Sequence, residues 1–101
     1  MKVEILYFDG CPTYRDAELA LREMLAEQGI SAKPELVAVN SAEEAQRLGF
    51  PGSPTLRVDD RDLFAAPEQE HYALGCRMYA TPEGLRGYPT AEMLRAALAA
   101  G

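Results

Sequence analysis

The chain has 101 residues, 48% of them hydrophobic, and a formal net charge of −6 at pH 7. This length and composition predict one globular domain over residues 1–101 and exclude a disordered chain. Because the ten basic residues are scattered among sixteen acidic ones, and no apolar stretch approaches the roughly 18 residues that cross a bilayer, we expect neither nucleic-acid nor membrane partners.

The first predicted element is a strand over residues 2–8. Its first half alternates apolar with charged side chains, whereas a secretory signal has an unbroken apolar core, so we expect a cytoplasmic location. At its end Leu6, Tyr7 and Phe8 run together, which is typical of a strand covered on both faces.

A cysteine followed by proline marks the start of the first predicted helix, over residues 13–28. Proline is favoured at the first helical position, which predicts that Cys11 is the N-cap and that Pro12 begins the helix. The Cys11 sulfur would then face the free N–H groups of Thr13 and Tyr14 and the positive end of the helix dipole. Both favour the thiolate, so we expect Cys11 to be more acidic than a free cysteine.

Short strands and helices alternate through the rest of the chain. A strand that follows the first helix makes a βαβ unit with parallel strands. Ser41 and Glu44 form a capping box at the second helix, and Thr90 caps the last one. The predicted elements are a strand at 35–39, a helix at 42–48, a strand at 55–58, a turn at 59–61 into 62–64, a short strand at 76–79 and a helix from 91 to about 99. The order β-α-β-α-β-β-α predicts an α/β fold with a mixed four-stranded sheet flanked by helices.

A cysteine at the first helix and a proline before the third strand, in this order of elements, resemble the thioredoxin fold. The resemblance implies that the Ser53–Pro54 peptide bond is cis and that Pro54 packs beside Cys11. It also implies that the Ser53 backbone lies open to pair with an extended substrate. Pro12, Ser53 and Pro54 are therefore predicted to bind substrate.

Longer stretches resemble, more narrowly, a small bacterial group of thioredoxin-like proteins, the DF family of (seleno)proteins. Some members of that family carry selenocysteine at the position of Cys11, which implies redox chemistry there. The matching stretches are Leu6-Tyr7-Phe8-Asp9-Gly10-Cys11-Pro12, Gly52-Ser53-Pro54-Thr55-Leu56-Arg57-Val58-Asp59, Cys76-Arg77-Met78-Tyr79 and Thr81-Pro82-Glu83-Gly84-Leu85.

Two positions depart from the thioredoxin pattern. Tyr14 stands where thioredoxins have their second cysteine, and Ile5 stands where they bury an acid. A dithiol cycle within the Cys11–Tyr14 motif is therefore impossible. The Tyr14 hydroxyl becomes a candidate hydrogen-bond partner of a thiolate or of bound substrate.

The two cysteines are too few for a disulfide scaffold, and a single histidine without a paired C-x-x-C does not favour a four-ligand metal site. We expect no cofactor. Cys11 is the candidate nucleophile toward a disulfide, a sulfenic acid or a peroxide, and Cys76 is the candidate resolving thiol. This is the chemistry of a thiol oxidoreductase or peroxidase acting on a protein or small-molecule thiol or disulfide.

Three other interpretations of the cysteines stay open. Cys11 and Cys76 could hold a soft metal or metalloid without turnover, since thiolates select soft ions. Cys11 could be a buried packing residue, because free cysteine packs like a small hydrophobe. The chain could also be an adaptor without catalysis, because a fold does not fix a function.

The remaining titratable residues of interest suit turns or the surface. Asp9 lies beside a glycine, where turn chemistry is the usual role. Asp59, Asp60 and Asp62 resemble a solvated turn that could attract a hard cation, although they lack the spacing of a calcium loop. His71 stands alone in an acidic segment and is predicted to be a surface residue.

Overall fold

A mixed four-stranded sheet with helices forms the frame of the molecule. The computed structural model describes residues 1–64 and 72–100. Within them the strands and helices are, in chain order, β1 (Val3–Tyr7), α1 (Tyr14–Glu27), β2 (Glu35–Ala38), α2 (Ala42–Leu48), β3 (Thr55–Val58), β4 (Arg61–Asp62), β5 (Tyr79–Thr81), β6 (Gly84–Arg86) and α3 (Ala91–Ala100). This confirms the predicted α/β class and the mixed four-stranded sheet.

The order of strands in this sheet is β2-β1-β3-β4. Strand β1 lies inside the sheet, where Ile5 pairs with Leu36 of parallel β2 and with Leu56 of antiparallel β3. The parallel pairing of the first two strands confirms the prediction from the helix between them. The segment that leaves β1 toward Cys11 therefore starts from the middle of the sheet.

The two faces of β1 contribute to two separate apolar clusters, because neighbouring side chains of a strand point to opposite faces. Ile5 packs with residues of α1 and α3, and Leu6 packs with α2 and the segment after it. The first cluster consists of Val3, Ile5, Ala17, Leu21, Met24, Leu25, Leu56 and Leu94. The second consists of Leu6, Val39, Ala45 and Phe50. The strand is thus covered on both faces, as its apolar run predicts.

Side-chain caps fix where α2 and α3 begin. The Ser41 hydroxyl accepts the Glu44 N–H at 3.1 Å, and the Thr90 hydroxyl accepts the Met93 N–H at 3.1 Å. Gly49 ends α2 in the left-handed conformation. The predictions from the capping box and from Thr90 are confirmed. In the described part of the chain no helix is both long and apolar enough to cross a membrane.

The turn between β3 and β4 is tighter than predicted. Asp59 and Asp60 both have left-handed backbones, with φ of 50° and 68°, which is the conformation of a two-residue hairpin turn. The Asp59 carboxylate accepts the Lys2 backbone N–H at 2.9 Å, and the Asp60 carboxylate pairs with the Lys2 ammonium at 3.2 Å. Strand pairing therefore begins again at Arg61, inside the predicted turn at 59–61, and the chain that follows the turn is the two-residue strand β4.

The predicted strand over residues 76–79 is wrong. Of these residues only Tyr79 belongs to β5, which pairs with β6 in a separate hairpin. Cys76 instead makes a single parallel bridge with Ser53. The sequence Thr81-Pro82-Glu83-Gly84 predicts a turn through its proline and glycine, and the turn is present, since Thr81 pairs with Gly84 and its hydroxyl donates to the Gly84 carbonyl at 2.6 Å.

Candidate functional site

The segment between β1 and α1 places Cys11 before the helix rather than at its N-cap. The N-cap is Thr13, whose carbonyl accepts the Ala17 N–H at 3.1 Å. The Cys11 N–H donates to the Phe8 carbonyl at 3.0 Å, which closes a turn ahead of the helix. The prediction that Cys11 is the N-cap and Pro12 the first helical residue is therefore corrected by two residues.

The Cys11 thiol is buried, with 2% of the residue exposed, and lies between polar groups. Its sulfur is 3.3 Å from the Thr13 hydroxyl oxygen and donates to the Ser53 carbonyl at 3.4 Å. The Thr13 hydroxyl also donates to the Gly87 carbonyl at 3.1 Å, so it does not cap α1. The sequence prediction named the Thr13 N–H as a partner of the sulfur but assigned no role to the Thr13 hydroxyl. Its position two residues after the cysteine is the signal that could have found it.

Opposed effects set the pKa of Cys11. Burial acts most strongly and raises it, because a thiolate is poorly solvated inside a protein. Hydrogen bonds from the Ser53 and Thr13 side chains, from the Thr13 backbone N–H and from the Cys76 thiol act in the other direction. Their sum holds the pKa of Cys11 below its ordinary value. The Thr13 N–H thus still stabilises the thiolate, although Cys11 is not the N-cap.

The loop before β3 forms the second side of the site. The Ser53–Pro54 peptide bond is cis, as predicted. Ser53 is fully buried, and its hydroxyl accepts the Phe8 N–H at 3.4 Å. This loop therefore holds the end of β1 and the Cys11 sulfur together.

The backbone of Ser53 is not open, contrary to the prediction. Its N–H donates to the Gly75 carbonyl at 2.8 Å, and its carbonyl accepts the Arg77 N–H at 2.9 Å. The reason is that residues 75–77, which we call the Cys76 strap, run parallel to Ser53 as a one-residue bridge. The position expected for an extended substrate is occupied by the chain itself.

The Cys76 strap brings the second cysteine to the first. Cys76 is exposed and Cys11 is buried, and both are free thiols. Burial, the negative charge of Cys11 and a hydrogen bond to Cys11 raise the pKa of Cys76. Both cysteines contact Ser53, Cys11 through its sulfur and Cys76 through the backbone bridge, and each shifts the pKa of the other, in opposite directions.

Arg77 anchors the strap, and sequence reasoning did not assign it a role. Its guanidinium donates to the Asp62 carboxylate at 2.8 Å and to the Phe64 carbonyl, and it lies over the Tyr79 ring at 4.7 Å. Arg77 is buried. Tyr79 beside it is also buried, and this burial raises the pKa of the Tyr79 phenol. The Tyr79 hydroxyl donates to the Pro54 carbonyl at 2.5 Å. Asp62, predicted to lie in a solvated turn, is instead an ion-pair partner.

Tyr14 packs against aromatic and cationic groups at the start of α1. Its ring stacks on Tyr7 with 4.2 Å between centroids, and the Arg15 guanidinium lies 5.0 Å from it. The side-chain hydroxyls that lower the pKa of Cys11 are those of Ser53 and Thr13. The predicted role of the Tyr14 hydroxyl toward bound substrate stays a prediction, as does that of the exposed Pro12.

The described residues contain no group of three or more His, Cys, Asp or Glu side chains that could hold a metal ion. Asp59 and Asp60, which are exposed at the tip of the β3–β4 turn, therefore do not belong to such a group. His71 lies outside the described residues.

Comparison with known proteins gives no relative from which a function could be transferred. The chain matched no protein-family model, no curated protein and no solved structure.

Proposed function

We propose that this protein is a thiol-based redox protein in which Cys11 is the nucleophile and Cys76 the resolving thiol. The observation that carries the proposal is that both cysteines lie against Ser53, Cys11 through its sulfur at 3.4 Å from the Ser53 carbonyl and Cys76 through its backbone bridge. The pKa of Cys11 is lowered there and that of Cys76 is raised. A lowered pKa increases the thiolate fraction of Cys11 at a given pH, and the raised pKa keeps more of Cys76 in the thiol form.

We also infer that the fold is thioredoxin-like. The order of elements, the mixed sheet and the cis proline next to the cysteine support this inference. A cytoplasmic location suits the chemistry, because a reducing compartment keeps both thiols free until an oxidant arrives.

With a hydroperoxide, the reaction has two steps. The Cys11 thiolate attacks one peroxide oxygen, so that an S–O bond forms, the O–O bond breaks and the alcohol or water leaves with a proton. The Cys76 sulfur then attacks the Cys11 sulfur of the sulfenic acid, so that an S–S bond forms, the S–O bond breaks and water leaves. The two electrons come from the cysteine pair, and two molecules of a low-molecular-weight thiol return them as they are oxidised to a disulfide.

With a disulfide, the same two thiols act in the same order. The Cys11 thiolate attacks one sulfur and releases the other as a thiolate, which leaves a mixed disulfide. Cys76 then displaces the bound half and closes the Cys11–Cys76 bond. Thr13 stabilises the charged sulfur at the start of either path through its N–H and hydroxyl.

Peroxide consumption by the two single-cysteine variants tests the assignment of roles. Cys11→Ser is expected to reduce the rate to that of an ordinary thiol, because the remaining Cys76 lacks the hydrogen bonds that lower the pKa of Cys11 and its own desolvation still raises its pKa. Cys76→Ser is expected to keep the first step and to stop at a Cys11 sulfenic acid that dimedone traps. If Cys11→Ser consumes peroxide as fast as the unmodified protein, Cys11 is not the nucleophile.

The pairing of two sulfurs also favours a second candidate function, the sequestration of a soft metal without turnover. Two thiolates on one ion match the preference of Hg(II) or Cu(I) for sulfur. Stoichiometric binding of Hg(II) that is lost in both single-cysteine variants, without peroxide turnover by the unmodified protein, would favour this candidate over redox catalysis.

A further inference from the structure

The Cys76 strap satisfies the strand-pairing groups of Ser53. The Ser53 N–H and carbonyl are bonded to Gly75 and Arg77 at 2.8 Å and 2.9 Å. An extended polypeptide that adds a strand at an edge needs such groups free, because main-chain hydrogen bonds supply much of its affinity. At Ser53, whose carbonyl contacts the Cys11 sulfur, neither the N–H nor the carbonyl is free for a peptide.

The strap also lies in close contact with the chain beneath it. A Cβ placed on Gly52 would come within 3.0 Å of the backbone N and Cα of Arg77. Gly52 has φ of +136°, a conformation that side chains of other residues rarely allow. A peptide therefore cannot slide between the strap and the loop before Pro54.

An ion pair holds the strap from its far end. The Arg77 side chain is 9% exposed and that of Asp62 20% exposed, and their charged groups are 2.8 Å apart. The Arg77 guanidinium makes a further bond to the Phe64 carbonyl. Opening the strap would break this pair and leave the Arg77 charge without its partner in a poorly solvated place, which is costly.

We propose that the substrate of Cys11 is a compact electrophile of the hydroperoxide class and not a polypeptide disulfide. The inference rests on the proposed function and deepens it. A hydroperoxide needs only one oxygen to reach the Cys11 sulfur, and it needs no backbone pairing. The bond changes are those given above for a hydroperoxide, with an alcohol or water as the leaving group.

The test compares two oxidants on the same protein. Oxidation of reduced protein is measured with hydrogen peroxide and, separately, with a disulfide-linked pair of extended peptides. We expect thiol loss with the peroxide and no measurable exchange with the peptide pair. Exchange with the peptide pair at a rate equal to or above that of peroxide overturns this inference alone. A Cys11 that reacts with neither oxidant in the folded protein overturns the proposed function as well.

Asp62→Asn provides a variant that loosens the strap without touching either cysteine. It is expected to make exchange with the peptide pair measurable, at a rate at least about tenfold above the detection limit that bounds the unmodified protein, because it removes a largely buried charge partner. Glu27→Gln is the matched control, since it breaks an exposed Glu–Arg pair with Arg95 at 2.6 Å, away from the strap, and should leave both rates unchanged. An Asp62→Asn protein that opens the strap, as seen by faster exchange of the Ser53 and Arg77 amide protons, but gains no peptide exchange contradicts the inference. The comparison of oxidants on the unmodified protein does not depend on this variant.

Discussion

At the scale of single residues, the reactivity of Cys11 depends on donors that its position in the sequence only partly reveals. The sequence predicts stabilisation by the helix, and the Thr13 N–H supplies part of it. The Thr13 hydroxyl supplies another part, and it is available because it does not cap α1. It carries one proton, which it shares between the Gly87 carbonyl and the Cys11 sulfur. Ionisation of Cys11 favours the bond to sulfur.

Thr13→Val is therefore expected to raise the pKa of Cys11 with little change in shape. Because the hydroxyl bond lowers this pKa, its loss moves the midpoint of the alkylation rate against pH upward, and the rate at neutral pH falls. Thr81→Val is the control, since the Thr81 hydroxyl bonds within the β5–β6 hairpin instead. The measurement is the pH profile of Cys11 alkylation in a Cys76→Ser background. An unchanged midpoint would remove Thr13 from the site.

At the scale of elements, local signals predicted the structure well and long-range contacts did not. Ser41 and Thr90 fixed the starts of α2 and α3, because a cap acts within one turn of its own helix. The strand predicted at residues 76–79 failed because no local pattern shows that Cys76 bridges Ser53 or that Arg77 meets Asp62. The predicted N-cap of α1, Cys11, was two residues too early for a similar reason, since the Thr13 hydroxyl bonds to the Gly87 carbonyl, far away in the sequence.

The contact between Gly52 and the strap gives a test at this scale. Gly52→Ala is expected to lower the free energy of unfolding by about 1–3 kcal/mol for the backbone alone, and by a further amount of about 1–3 kcal/mol for the clash with Arg77. Gly84→Ala carries the first cost without the second, because Gly84 has φ of +106° and open space where the Cβ would lie.

Chemical denaturation of both variants measures the difference. Gly52→Ala should be the less stable of the two, and its Cys11 should be alkylated faster, because the displaced strap uncovers the sulfur. Equal stabilities and equal alkylation rates of the Gly52→Ala and Gly84→Ala proteins would show that the strap does not lie in close contact with Gly52.

At the scale of the whole molecule, the topology brings distant segments to one place. The segment after β1, the loop before β3 and the strap before β5 meet around Ser53. The sequence predicted the first two through the cysteine and the proline. It left open whether Cys76 joins them, because the 64 residues between the two cysteines contain no local signal for that contact.

Disulfide mapping after mild oxidation tests the central claim most directly. The reduced monomer is treated with equimolar hydrogen peroxide, and its intact mass and cysteine-containing peptides are measured. We predict a monomer that has lost two hydrogens, with the Cys11 peptide linked to the Cys76 peptide. A monomer that gains oxygen on Cys11 without a bridge, or that keeps both thiols open to alkylation, would contradict the account.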